Sequence, residues 1–218
     1  MSQDFLDTTL PHAQAVFGTG SIPSVAKASE ALGPTASMHQ VHGTILTYAT
    51  EATQYPECDG LYTDTPNLWL AVKTADCTPC LISTPHAVAA LHLGWRSAQA
   101  GLLPLTLQTL LTRYPLKPED IHISFGPSLG QSNFEVEDTF PAAFGVPNEA
   151  PFFTPSKQGH VKMNLGAILR HQAESLGIPA ENINISNHCT FTEAETFHSY
   201  RRDKTNPGRQ ISLIKLVK

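Results

Sequence analysis

Seventeen prolines and fourteen glycines are spread through a chain of 218 residues. Proline inside a helix removes a hydrogen bond and clashes with the preceding turn, so long helices have nowhere to sit. The chain must build itself from many short elements and turns, which excludes an all-helical bundle. Hydrophobic residues make up 41% and charged residues 15%. That balance is too apolar for a disordered chain, and the length suits one domain, 1–218, with a real core. Lys and Arg number 14 against 19 Asp and Glu, a net charge of −5. A mildly acidic chain argues against nucleic acid or an anionic membrane as partner. Residues 1–17 mix Asp4, Asp7, Pro11 and His12 with single apolar residues, unlike a secretory leader, and no apolar run reaches the ~18 residues of a membrane span. The expected location is the cytoplasm, where Cys58, Cys77, Cys80 and Cys189 stay out of disulfides and serve as core residues, metal ligands or catalytic groups.

Residues 1–37 are poorly patterned and read as loop with one strand at 13–17. Residues 41–47 read as a strand interrupted by Gly43. The runs at 68–73 and 87–91 are nearly continuous in apolar residues, as in strands buried on both faces. Leu102, Leu103, Leu107, Leu110 and Leu111 are spaced as on a helix within 97–113, with Pro104 marking its start or a kink. Alternation predicts a strand at 121–125. A second helix is predicted over 164–176, capped by Asn164 and stopped by Gly177. Strands follow at 183–187 and 211–217. Short strands, two clear helices and no strict alternation give an α+β fold with mixed sheets.

The segment from Cys77 to Arg96 is the most informative. If its two strand-like pieces pair about Thr84–Pro85, opposed residues sum to 169, and Cys77 faces His92. Directly opposed side chains have Cβ atoms about 4.5–5.5 Å apart, so thiolate and imidazole can share one ion. The alternative is a buried thiol beside a satisfied core histidine, and a bulge at Pro79 would turn the two side chains apart. Cys77 and Cys80 lie three apart on a predicted strand and so face opposite ways, which disfavours a redox pair and leaves Cys80 in the core. Gly94 permits a bend that projects Arg96 beside His92 as an anion clamp, or onto Trp95. His42 stands before flexible Gly43 and is uninformative alone. Arg201, Arg202, Lys204 and Arg209 fall within nine positions and form a local positive patch suited to a phosphate or carboxylate, or else a solvated loop around the Asn206-Pro207-Gly208 turn. The turn at 126–130 offers backbone N–H groups that could cradle an anion.

Taken in order, QVHG at 40–43, DGLYT at 59–63, TADCTPCL at 74–81, ALHLGWR at 90–96, FGPSLG at 125–130, FEV at 134–136 and FHSYRRDKTNPGR at 197–209 match one family. From residue 38 onward the chain closely resembles the bacterial proteins described as multicopper polyphenol oxidase (laccase-like) or purine nucleoside phosphorylase, also called peptidoglycan editing factor. The resemblance implies mixed sheets layered between helices (α/β/β/α). It also implies a mononuclear site, usually zinc with copper as the alternative, whose ligands fall on His42, Cys77 and His92. The implied activity is zinc-dependent purine nucleoside phosphorolysis together with adenosine deamination. The implied partners are a purine nucleoside and phosphate, and a monomer is favoured.

On that basis Arg96 is expected to hold the anion, Asp76 and Glu135 to carry protons, and Gln40, Arg201 and Arg202 to bind substrate. Phe134, Phe197 and Tyr200 are candidates for lining a purine pocket. Residues 1–37 form a shortened, divergent start: Gly20 stands where the family's arginine would fall, His198 where an aromatic is frequent, and Cys80 where an aliphatic is usual. The rival readings are a copper polyphenol oxidase, a cysteine hydrolase using Cys77, and a peptidoglycan-precursor editing or non-catalytic metal-binding protein.

Overall fold

The computed structural model describes residues 4–149, 151–205 and 207–217. The first half of the chain runs β1 (Phe5–Thr8), β2 (Ala13–Gly18), α1 (Val25–Leu32), β3 (Thr35–Met38), β4 (Leu46–Tyr48), β5 (Gln54–Tyr55), β6 (Gly60–Thr63), β7 (Trp69–Thr74), β8 (Thr78–Ser83), β9 (Val88–Leu93), α2 (Trp95–Gln99) and α3 (Leu102–Arg113). The second half adds β10 (His122–Phe125), β11 (Glu135–Glu137), α4 (Phe140–Phe144), β12 (Phe153–Pro155), β13 (His160–Met163), α5 (Leu165–Glu174), β14 (Ile183–Ile185), α6 (Tyr200–Asp203) and β15 (Gln210–Leu216). One six-stranded sheet has the order β1-β2-β15-β7-β3-β5 and a second β14-β10-β8-β9-β6-β4; β11, β13 and β12 form a small third sheet.

The two large sheets pack face to face. Leu70, Val72, Ile214 and Leu216 of the first meet Leu61, Leu81, Val88 and Ala90 of the second in one buried cluster. The opposite face of the second sheet, including Cys80, Ile82, Ala89 and Leu91, is covered by Leu103, Leu107 and Leu110 of α3 and by Ile168 and Leu169 of α5. The outer face of the first sheet packs Trp69, Ala71, Ile211 and Leu213 against Ala28 of α1 and Ile22. The layering is therefore α/β/β/α, as expected. Burial on both faces explains why β7, β8 and β9 read as continuous apolar runs rather than alternating ones.

Helix chemistry follows the sequence closely. Asn164 caps α5 by accepting from Ala167 N at 3.0 Å, and Gly177 turns the chain with φ 85. The predicted helix over 97–113 is instead two helices broken at Gly101, whose φ is 86. Pro104 sits in the first turn of α3, where its missing N–H has no partner to lose.

Three expectations need correction. Residues 5–38 are not mostly loop: they hold β1, β2, α1 and β3, whose identity depends on long-range pairing with β15 and β7. Residues 41–45 are a turn, not a strand, and β4 starts only at Leu46. The β8–β9 hairpin pairs Pro79 with His92 and Cys80 with Leu91, so opposed residues sum to 79 + 92 = 171. Its turn is centred on Pro85–His86, closed by Thr84 N donating to Ala87 O at 3.0 Å and braced by the Thr84 hydroxyl. Proline prefers the second position of such a turn, which moves the centre by one residue. A one-residue shift of centre moves the register by two and leaves every side chain on its original face.

Candidate metal and anion site

His92 shares the inter-sheet face with Val88 and Ala90, and its paired residue Pro79 shares it with Leu81. Cys77, two residues before Pro79, inherits the same face and becomes a diagonal neighbour of His92 rather than an opposed one. Asp76, at φ 83, turns the chain between β7 and β8 and delivers Cys77 to the end of the layer. His42 arrives on the 41–45 turn, itself in the left-handed region at φ 60.

The three donors meet. One ligand atom each from His42, Cys77 and His92 lie within 4.8 Å of one another, with Cys77 Sγ 4.0 Å from His42 Nε2. Tetrahedral zinc bonds would place sulfur and nitrogen about 3.6 Å apart, so the Cys77–His42 pair would close by about 0.4 Å on an ion, and donors as far apart as 4.8 Å would close by about an ångström. Gly94 lies against the pair: a Cβ there would stand 3.1 Å from Cys77 Sγ and 3.1 Å from His42 Cδ2. The residue is glycine because the thiol and the ring occupy the space of a side chain. His92 Nδ1 is engaged by Asp59 Oδ1 at 2.7 Å, which leaves Nε2 for an ion.

Burial alone would push the Cys77 thiol up. The imidazoles of His42 and His92 more than reverse this and bring it down to about 6. Burial would likewise lower His92, but Asp59 and the Cys77 thiolate outweigh it and raise the ring to about 9. Near neutrality the metal-free site is thus a thiolate beside an imidazolium. Burial raises the Asp59 carboxyl, and its bonds to His92, Gly43 and Val41 overcome that and hold it below its ordinary value.

The donors open onto a cavity of about 600 Å³ whose wall includes Gln40, Arg96, Phe134, Tyr200, Arg201 and Arg209. The Arg96 guanidinium lies over the Trp95 ring at 4.3 Å, is exposed, and has no hydrogen-bond acceptor among the described residues. Arg96 therefore stacks on Trp95 while lining the cavity. Arg201 is held by the carbonyls of Asn133 and Glu135 at 3.4 Å and by the Phe134 ring. Tyr200 is 59% exposed on the rim, whereas Phe197 is buried and absent from the lining.

Other candidates have different employment. Arg202 does not line the cavity: it donates to the carbonyls of Thr190, Phe191 and Phe197 and pairs with Asp203. The carboxylate of Glu135 turns to Lys157 at 2.6 Å and Ser156 at 2.8 Å, away from the donors. Gln40 lines the cavity, but its amide is taken at both ends by the Lys73 backbone. Asp76 lines it too, with one oxygen accepting from Thr190 Oγ1 and the other from Arg201 N, both at 2.6 Å. The 126–130 turn is no anion cradle, since the N–H groups of Gly126, Ser128, Leu129 and Gly130 serve Pro79, His188, Asp76 and the Cys189 sulfur. Where the resemblance places an arginine, the His198 imidazole stands 3.3 Å from the position of a Gly20 Cβ. Asn206, part of the expected turn, lies outside the described residues.

Asp59 was not singled out by sequence, although it opens the DGLYT stretch. Its signal was an acidic residue directly ahead of a buried strand, where an unpaired charge is costly.

Comparisons with known proteins identify the family and the fold. A sequence model of the family described as multi-copper polyphenol oxidoreductase laccase matches residues 23–217. A purine nucleoside phosphorylase of Haemophilus influenzae is 38% identical over 181 residues, covering 80% of this chain and 71% of that protein. The purine nucleoside phosphorylase YlmD of Geobacillus stearothermophilus is 32% identical over 190 residues, covering 80% of this chain and 69% of the relative. The crystal structure of YlmD from that organism superposes with a TM-score of 0.91 at 25% identity, over 100% of this chain and 98% of that one. No helix among the described residues is long and apolar enough to cross a membrane.

Proposed function

This chain belongs to the multi-copper polyphenol oxidoreductase laccase family, and we propose that within it the protein is a zinc-dependent purine nucleoside phosphorylase. The observation that carries the reading is the meeting of His42, Cys77 and His92 at one end of a cavity whose wall bears Arg96 and Arg201. Three protein donors leave a fourth coordination position open, the arrangement of catalytic rather than structural zinc. Such an ion supplies Lewis acidity and an activated water near neutral pH.

The chain's own residues account for the rest. Arg96, without an acceptor among the described residues, is free to fork onto a phosphate oxygen pair. Arg201 adds a second cation, held in place by Asp76 through its backbone N–H. Phe134 and Tyr200 offer ring faces for a purine. In phosphorolysis a phosphate oxygen bonds to C1′ of the ribose while the C1′–N9 bond breaks, and the departing base takes up a proton. Since both Asp76 oxygens are already accepting, its part is to hold Arg201 rather than to carry that proton. Deamination of adenosine, in which water adds at C6 and ammonia leaves, is a second activity the open coordination position favours.

A multicopper cluster is disfavoured, because among the described residues one group of three donors converges. The test is incubation of zinc-loaded protein with inosine or adenosine, with and without phosphate. Free base is expected only with phosphate, and none from His42→Ala. Deamination would appear as ammonia released from adenosine without phosphate. Zinc-replete protein that yields neither product overturns the enzymatic reading.

A further inference from the structure

One buried carboxylate reaches both histidines of the site, the ring of His92 and the backbone of His42. Asp59 has 0% exposure. Its Oδ1 accepts from His92 Nδ1 at 2.7 Å and from His42 N at 3.0 Å. Its Oδ2 accepts from Gly43 N at 2.7 Å and from Val41 N at 3.1 Å. Three successive backbone N–H groups can turn toward one acceptor because His42 sits at φ 60, making the 41–43 turn an anion nest whose occupant is the protein's own side chain. A left-handed histidine is uncommon and persists only where its surroundings fix it. Val41 and Ile45, on either side, are 45% and 54% exposed and give the turn little apolar anchorage.

We propose that Asp59 is a positioning residue that sets both imidazole ligands at once. Through Nδ1 it fixes the tautomer and orientation of His92, so that Nε2 faces the ion. Through the nest it holds the turn that carries His42 over Cys77. An acceptor-only group is required, because all four partners are donors. This inference rests on reading the three donors as a metal site, not on the substrate or reaction assigned above, so its readout is metal binding.

The experiment compares Zn²⁺ affinity of wild type and Asp59→Asn by competition with a chromogenic chelator, with melting of the metal-free proteins as a check on folding. Asparagine keeps the shape and turns one acceptor into a donor. A loss of about 10–100-fold is expected, the size found for outer partners of ligand histidines. In a His42→Ala background the same substitution should cost a smaller factor, since only His92 is left to position. In Asp59→Ala, formate should enter the vacated nest and restore part of the affinity, while acetamide at equal concentration should not. A merely structural role would not produce that selectivity. Nitrogen NMR of zinc-loaded wild type needs no variant: His92 should carry its proton on Nδ1 and the metal on Nε2. Asp59→Asn binding Zn²⁺ within twofold of wild type, metal on Nδ1 of His92, or wild type that binds no Zn²⁺ would each overturn the proposal. Failure to release base from nucleosides, with these metal results intact, would overturn only the phosphorylase reading.

Discussion

The two histidine donors are held in opposite ways. His92 sits in the middle of the second sheet at 3% exposure, paired with Pro79 and packed between layers. His42 is exposed on a turn with a left-handed backbone. The position of His92 is over-determined by register and core, while that of His42 depends on the bonds of its own turn to Asp59. A binding site of this kind joins a rigid half, which fixes where the ion goes, to a half tethered by few contacts.

The largest effect should come from breaking the rigid half. His92→Ala removes a ligand and also strips the buried Asp59 carboxylate of its charged partner, so we expect a stability loss of about 3 kcal/mol in denaturant melts of the metal-free protein. Arg202→Ala should come next, at about 2 kcal/mol, because the carbonyls of Thr190, Phe191 and Phe197 lose their donor. Phosphate KM should stay near wild type in that variant, whereas Arg96→Ala should raise it by about tenfold or more with little change in stability. Gly94→Ala presses on Cys77 and His42 at once and should weaken Zn²⁺ binding by about tenfold while leaving the hairpin folded. The smallest effect on stability should be His42→Ala, within about 0.5 kcal/mol, although Zn²⁺ binding is strongly weakened. Equal stability losses for His42→Ala and His92→Ala would erase the contrast.

Acidity sharpens the same comparison. Between pH 6 and 9 the metal-free site carries its proton on His92, whose pKa is raised to about 9, while Cys77, lowered to about 6, is already a thiolate. An ion entering the site must displace that proton. Apparent Zn²⁺ affinity should therefore climb by about tenfold per pH unit from 7 to 8.5 and level off above 9, with one proton released per ion. A flat profile over that range would show that His92 is neutral before binding.

Sequence reading went furthest where local chemistry decides. The Asn164 cap, the Gly177 stop and the apolar runs of β7 and β9 follow from neighbouring residues alone. The hairpin register was off by two because the proline-centred turn was misplaced by one residue, and the site survived because an even slip preserves the face. The strand expected at 13–17 is β2, but β1, α1 and β3 are not legible in the sequence, since β3 is defined by pairing with β7, distant along the chain. The resemblance points to His42, Cys77 and His92, and the fold brings one donor atom of each within 4.8 Å of the others. The side chains of Arg202 and Glu135 turn to other partners, because charge in a motif does not reveal which carbonyl or cation a side chain will meet. Asp59 was missed for the same reason: its partners come from positions 41–43 and 92, which only folding brings together.

The central claim is that one thiolate and two imidazoles bind a single ion with a position left open. Titration of metal-free protein with Co²⁺ tests it most directly. The account predicts one equivalent bound, with tetrahedral visible bands and a near-ultraviolet thiolate-to-cobalt band that vanishes in Cys77→Ser. A cobalt spectrum without the thiolate band, or one unchanged in Cys77→Ser, would contradict it.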